Sequence, residues 1–263
     1  MVVVEVERAE AELAADALWQ AGASAVGEAD LGDGRVRLTA DVPDPTLVPA
    51  RWAARPVEVD HGADLDAWRA HAEPVRAGQR VLLVPAWREV PPAGPDDVVV
   101  VLDPGRAFGS GSHPATRLVI AALEPRLRPG DRVLDVGCGS GVLAVVALRL
   151  GAGAAVGIDI DPAAVAATRE NAARNEVADR LEVDGRPLAE VDGAFDLVLA
   201  NIGVRALTDL APALAARVAP GGHLVLSGLL EDQADAVVAR CAPLTEVARL
   251  AEDGWAAPVL TAG

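Results

Sequence analysis

The sequence predicts an α/β protein: a domain built on a mostly parallel sheet with helices on both faces, preceded by a small α+β module. Three observations carry this expectation. From Val98 to Cys241, apolar runs of strand length alternate with helical stretches, the pattern of successive βα units. Within that region Asp135-Val136-Gly137-Cys138-Gly139-Ser140-Gly141 joins a buried strand, Arg132 to Val136, to an apolar helix, Val142 to Leu150. The first sixty residues lack this alternation and read as a unit of their own.

In that first unit, Val2 to Val6 predicts a short strand and Ala9 to Gln20 a helix stopped by Gly22. Ala25 to Glu28 and Arg35 to Thr39 predict two strands joined by the turn Gly32-Asp33-Gly34, and Arg51 to Asp60 a last helical turn and strand. The order β-α-β-β-(α)-β is that of a ferredoxin-like module, with Pro43, Pro45 and Pro49 crowding its second helix. We therefore expect a domain over residues 1–60, a connection over 61–95 that holds Trp68 and Trp87, and a large domain over 96–263. In the large domain, strand Val98 to Leu102 precedes the glycine run. Strand Ala155 to Ile158, helix Pro162 to Arg174 and strands Leu181 to Asp184 and Phe195 to Ala200 follow it. Helix Arg205 to Val218, strand His223 to Ser227 and helix Glu231 to Cys241 complete the expected alternation.

Composition narrows the function. All 23 basic residues are arginine against 39 acids, and the net charge of −16 opposes non-specific nucleic-acid binding while favouring a basic partner. No apolar run reaches the ~18 residues of a spanning helix, and Glu5 and Glu7 do not suit a signal peptide, so a soluble cytoplasmic protein without membrane contact is expected. The two cysteines, Cys138 and Cys241, form no metal framework, and with four histidines and no spaced ligand set we expect no metal. Cys138 has no flanking base and reads as a small loop residue, not as a nucleophile.

The glycine run carries the chemistry. Strand, glycine loop, apolar helix and a second strand ending on Asp159 form a nucleoside-binding βαβ unit, in which glycines admit the ligand to the backbone and an acid holds ribose hydroxyls. Gly137, Gly139 and Gly141 are spaced differently from the dinucleotide fingerprint G-x-G-x-x-G, and no G-x-x-x-x-G-K-[ST] loop for ATP phosphates occurs. Asp159 ends its strand where the ribose lies, whereas Asp161, followed by Pro162, reads as a helix N-cap. Asp135 either holds the loop's amides or orients a cofactor amino group, and Asp184 either contacts a base or forms a turn with Gly185. Upstream, the stretch from Asp103 through Phe108 and His113 to Thr116 is rich in small residues able to fold over a ligand, with Thr116 near the start of a helix. His113 reads as loop packing or helix entry ahead of proton transfer. Downstream, Asn201 ends a strand at the carboxyl edge of the sheet, facing the same crevice as the glycine loop.

Taken together these stretches resemble the PrmA-type family, methyltransferases of a large-subunit ribosomal protein. The family's D-P-G-x-A-F-G-T-G-T-H-P-T-T is met from Asp103 to Thr116, its G-C-G-S-G at 137–141 and its G-I-D-I-D-P at 157–162. Its A-N-I is met at 200–202 and its S-G-[IL]-L at 227–230, so the resemblance spans about residues 66–260. It implies a Rossmann-like class I methyltransferase domain and S-adenosylmethionine contacted by Thr116, Gly137, Asp159 and Asn201; beside these we expect Phe108, Asp135 and Gly139 at the cofactor and a catalytic, orienting role for Asn201. It further implies an N-terminal ferredoxin-like domain that recognises the ribosomal protein, and transfer to lysine ε-amines or an N-terminal α-amine. Ser110 and Ser112 stand for two family threonines, Ala115 for another, and Gly203-Val204 for the usual Leu-Ala on the substrate side. The alternatives are a methyltransferase for another protein or small molecule, and a non-catalytic cofactor-binding homologue.

Overall fold

The computed structural model describes residues 1–23, 26–32, 34–40, 42, 44–56, 72–104 and 111–263. The chain divides into two compact units, Met1–Asp66 and Ala67–Gly263.

In the first unit β1 (Val2–Glu7) leads into helix α1 (Ala11–Gln20), and β2 (Val26–Asp30) and β3 (Arg35–Ala40) form a hairpin. The short β4 (Arg55–Pro56) closes a four-stranded sheet of order β2-β3-β1-β4. Every pairing is antiparallel, as a ferredoxin-like order requires. Among the described residues, 3-10 turns at Pro45–Leu47 and Ala50–Trp52 stand where that order has its second helix. Proline fixes φ and removes a donor, which limits the segment to single turns. Val2, Val4, Val6, Val36 and Leu38 alternate onto one sheet face and bury against Ala14 and Leu18 of α1.

The segment expected as a connection is only partly one. Residues 61–71 lie outside the described residues, but β5 (Val75–Ala77) and β6 (Val81–Pro85) are strands, and β6 pairs in parallel with β7 (Val98–Leu102). Val81, Leu82, Leu83 and Val84 are all buried, so the run carries no alternation to mark it as a strand. β7 itself belongs to this three-stranded sheet and not to the large one.

Helix α2 (Pro114–Leu123) leads to β8 (Arg132–Val136), α3 (Val142–Leu150), β9 (Ala154–Ile158), α4 (Pro162–Arg174) and β10 (Leu181–Asp184). β11 (Phe195–Asn201), α5 (Val204–Ala215) and β12 (Val218–Ser227) follow, then the short β13 (Leu229–Leu230) and α6 (Ala234–Val238). The helix expected over 231–241 is helical only at its centre, with 3-10 turns at Glu231–Gln233 and Ala239–Cys241. A final antiparallel hairpin, β14 (Thr245–Glu252) and β15 (Trp255–Thr261), was not anticipated. The sheet runs β10-β9-β8-β11-β12-β15-β13, with β14 on β15 and its first five strands parallel. Strand order reverses between β8 and β11, which opens a crevice at their carboxyl ends. Val133, Leu197 and Leu199 bury on one face with α3, while Leu134, Val198 and Ala200 bury on the other with Leu207 and Leu214 of α5. Among the described residues, no helix is long and apolar enough to cross a membrane.

Candidate functional site

The glycine loop is shaped by what stands next to it. Gly137 adopts φ +72°, a left-handed conformation, and an added Cβ would collide with Cγ2 of Ile202. Only glycine fits both demands, so Ile202, just past β11, lies directly on the loop. Gly137 and Cys138 donate to the carbonyl of Ile158 at 2.8 and 3.1 Å, which ties the loop to the end of β9. Gly141, at φ +78°, passes so close to α4 that a Cβ would stand 2.7 Å from Thr168 Cγ2.

Two carboxylates hold this turn in different ways. Asp159 follows β9, and its Oδ2 accepts the Gly139 N–H at 2.9 Å while Oδ1 accepts the Asp161 N–H at 2.9 Å. Asp161 caps α4, accepting from Ala163 N at 2.8 Å with Pro162 at the first helical position, as the sequence indicated. Asp135 lies on the α3 side of β8, fully enclosed, and its Oδ2 accepts from Ala144 N in the first turn of α3 at 3.1 Å. Burial pushes its carboxyl up to about 7; the Ala144 N–H opposes the rise and the nearby Asp159 charge adds to it. Between Asp159 and Asp161, Ile160 is 94% exposed, an apolar side chain presented at the strand end.

The upstream and downstream stretches meet at one hydrogen bond. Asn201 at the end of β11 donates through Nδ2 to Oγ1 of the buried Thr116 in the first turn of α2, at 3.1 Å. His113 caps that helix: its Nδ1 accepts from Ala115 N at 3.2 Å, and its ring stands edge-on to Trp255 at 4.7 Å. Burial, with the charge of Arg117 beside it, lowers the affinity of His113 for a proton, which favours the neutral ring whose Nδ1 accepts at the cap. Phe108 lies outside the described residues. Asp184 is a turn former whose Oδ1 accepts from Arg186 N at 3.0 Å. Burial pushes the Cys138 thiol up to about 12, which keeps it protonated and unreactive. Gly203 is the N-cap of α5 at φ −58°, and a Cβ there would meet open space, so the backbone does not demand glycine.

Sequence reasoning missed the face of α4 turned to the loop. Thr168 Oγ1 donates to the Gly139 carbonyl at 2.9 Å, and Asn171 Nδ2 donates to the Ser140 carbonyl at 2.9 Å. Both side chains are completely buried. No local signal marks them, because a polar residue within a helix pattern reads as solvent-facing until the backbone packed against it is known. Trp255 was also missed, although Asp253-Gly254 between two alternating runs marks a hairpin.

Residues 50–262 match the family model described as ribosomal protein L11 methyltransferase (PrmA). The chain belongs to this family. It is 42% identical to the ribosomal protein L11 methyltransferase of Cupriavidus necator over 96% of this chain and 94% of that protein. It is 39% identical to the enzyme of the same name from Burkholderia cenocepacia, with 97% and 95% covered. The crystal structure of ribosomal protein L11 methylase from Lactobacillus delbrueckii subsp. bulgaricus superposes with a TM-score of 0.68 at 30% identity, over 73% of this chain and 99% of that one. The chain is thus a methyltransferase that uses S-adenosylmethionine. The crevice suits that cofactor: a glycine-lined turn admits it to the backbone, carboxylates can meet hydroxyl and ammonium groups, and Ile160 offers an apolar face.

Proposed function

We propose that the chain methylates amines of ribosomal protein L11, lysine ε-amines or the N-terminal α-amine, in the crevice at the carboxyl ends of β8, β9 and β11. The contact between Asn201 and Thr116 carries this proposal, since it joins two separate sequence stretches across that crevice. The relatives named for this activity match over nearly their whole length. Thr116, Asp135, Gly137, Gly139, Asp159 and Asn201 hold the cofactor, with Asp159 toward the ribose hydroxyls, Ile160 against the base and Asp135 toward the ammonium group. Phe108 joins them from the upstream stretch. Residues 1–60 recognise the basic substrate, and residues up to 95 lead into the cofactor domain.

S-adenosylmethionine supplies an electrophilic methyl group on a sulfonium. The protein's task is to present a neutral amine to it. A lysine of pKa ~10.4 gives up about 4–5 kcal/mol to expose its lone pair at pH 7. A crevice that excludes water lowers this requirement by disfavouring the ammonium form. Asn201 is not basic, so it cannot take the proton. With Nδ2 committed to Thr116, its Oδ1 accepts an N–H of the amine and aims the lone pair, while solvent takes the proton. Asn201→Ala should lower kcat about a hundredfold. The test is methyl transfer from labelled S-adenosylmethionine to hypomethylated large-subunit proteins, read by intact mass. A series of additions of about 14 mass units on L11 supports the proposal. Labelling only of another protein in whole lysate reassigns the substrate, and cofactor binding without any labelling favours a non-catalytic homologue. An Asn201→Ala enzyme with unchanged cofactor affinity and turnover would remove Asn201 from the mechanism.

A further inference from the structure

Helix α4 does something unusual with two asparagines. Asn171 and Asn175 are one helical turn apart, about 6 Å along the axis. Val101 and Asp103 are two residues apart on the β7 segment, about 6.6 Å. The two spacings match, and each side-chain amide pairs with one residue's backbone as a neighbouring strand would. Val101 N donates to Asn175 Oδ1 at 2.9 Å and its carbonyl accepts from Asn175 Nδ2 at 2.7 Å. Asp103 N donates to Asn171 Oδ1 at 2.9 Å and its carbonyl accepts from Asn171 Nδ2 at 2.9 Å. The helix thereby covers the edge of β7 that β6 leaves open.

The two amides then diverge. The second Asn175 proton stays within α4, on the Asn171 carbonyl at 2.8 Å. Asn171 sends its second proton out of the helix, to the Ser140 carbonyl inside the glycine loop at 2.9 Å. Its Oδ1 also accepts from Arg174 at 2.5 Å, so both protons and both lone pairs are used in a completely buried side chain. A single amide therefore bridges the segment that opens the upstream stretch, at Asp103, and the glycine loop, at Ser140. Neither an aspartate nor an alkyl group can replace it. A carboxylate turns lone pairs toward two carbonyls, and an alkyl group removes every one of these bonds.

We infer that Asn171 is a positioning residue for S-adenosylmethionine: it touches neither cofactor nor substrate, but locks the glycine loop to the upstream stretch so that both meet the ligand in register. Asn175 holds the same strand without reaching the glycine loop and serves as its structural control. The inference rests on the assignment of the glycine loop to the cofactor, and Asp159→Ala tests that assignment separately.

The experiment is calorimetric titration of S-adenosylhomocysteine into the full-length wild type and the variants Asn171→Ala, Asn175→Ala, Arg174→Met and Asp159→Ala. Thermal unfolding and steady-state methylation are measured on the same samples. Asn171→Ala should weaken S-adenosylhomocysteine binding about tenfold and raise the KM for S-adenosylmethionine similarly, with kcat at saturation within about twofold. Asn175→Ala should lower Tm comparably yet leave affinity within about twofold. Arg174→Met keeps the amide and removes one of its supports, so it should show a smaller shift in the same direction, and it decides the matter if Asn171→Ala does not fold. Equal affinity losses in Asn171→Ala and Asn175→Ala, or a fall in Tm with affinity unchanged in Asn171→Ala, would overturn the inference. If Asp159→Ala alone left affinity intact, the cofactor assignment would fail instead.

Discussion

The N-terminal sheet and the large sheet of this protein handle carboxylates in opposite ways. On the N-terminal sheet, Glu5 stands among arginines: Arg37 at 2.8 Å, Arg35 at 3.5 Å and Arg55 at 3.5 Å. The Arg37 hydrogen bond, aided by the charges of all three, holds the Glu5 carboxyl below its usual range. At the crevice of the large sheet, the described partners of Asp135 and Asp159 are backbone N–H groups. Charge answered by charge at a water-washed surface is screened and tolerant of rearrangement. Charge answered by amides works only if the backbone is bent to deliver them, and so it imposes a local sequence. The N-terminal unit is therefore free to vary, whereas the large unit writes its geometry into glycines and acids.

The widest test of that contrast is to separate the units. Removing residues 1–60 should abolish transfer to L11 while S-adenosylhomocysteine still binds the remaining chain, measured by mass spectrometry and calorimetry. Retained transfer to L11 would assign recognition to the large unit. A single carboxylate comes next. Asp159→Ala removes the acceptor of both the Gly139 and the Asp161 amides and the proposed ribose contact. The affinity for S-adenosylhomocysteine should fall about a hundredfold, from two charge-assisted hydrogen bonds at about 1.5 kcal/mol each. A change under threefold would place the ribose elsewhere.

The same contrast explains how much the sequence revealed. Strands β8 and β10 and helices α3 and α4 were legible to the residue because period, caps and glycines agree there. Asp161 was separable from Asp159 because Pro162 marks a helix start. What stayed hidden needed long-range knowledge. β6 is apolar on both faces and carries no period. The β14–β15 hairpin was passed over although Asp253-Gly254 announces it. Asn171 looks like any polar helix residue until Asp103, just past β7 and 68 residues earlier in the chain, is seen to bond to it. A side chain that acts through a distant backbone leaves no local mark.

The smallest effect concerns Asp135, where the amide-answered carboxylate is least at ease. Burial raises its pKa in the folded protein from an ordinary 3.8 to about 7. Below about pH 4 the side chain is protonated in both folded and unfolded states and contributes no pH dependence. From there to pH 7 the unfolded chain has released the proton while the folded one retains it, so stability declines as pH rises, and above pH 7 the penalty is complete. Asp135→Asn keeps an oxygen to accept from Ala144 N and never ionises. Its Tm advantage over wild type, without cofactor, should therefore be about 5 °C larger at pH 8 than at pH 5, followed by circular dichroism in both buffers. An advantage that does not change with pH would mean that a counter-charge reaches Asp135 and that burial alone does not govern it. An advantage larger at pH 5 would reverse the sign and place the carboxylate among groups stabilised by their ionisation, as Glu5 is on the other sheet.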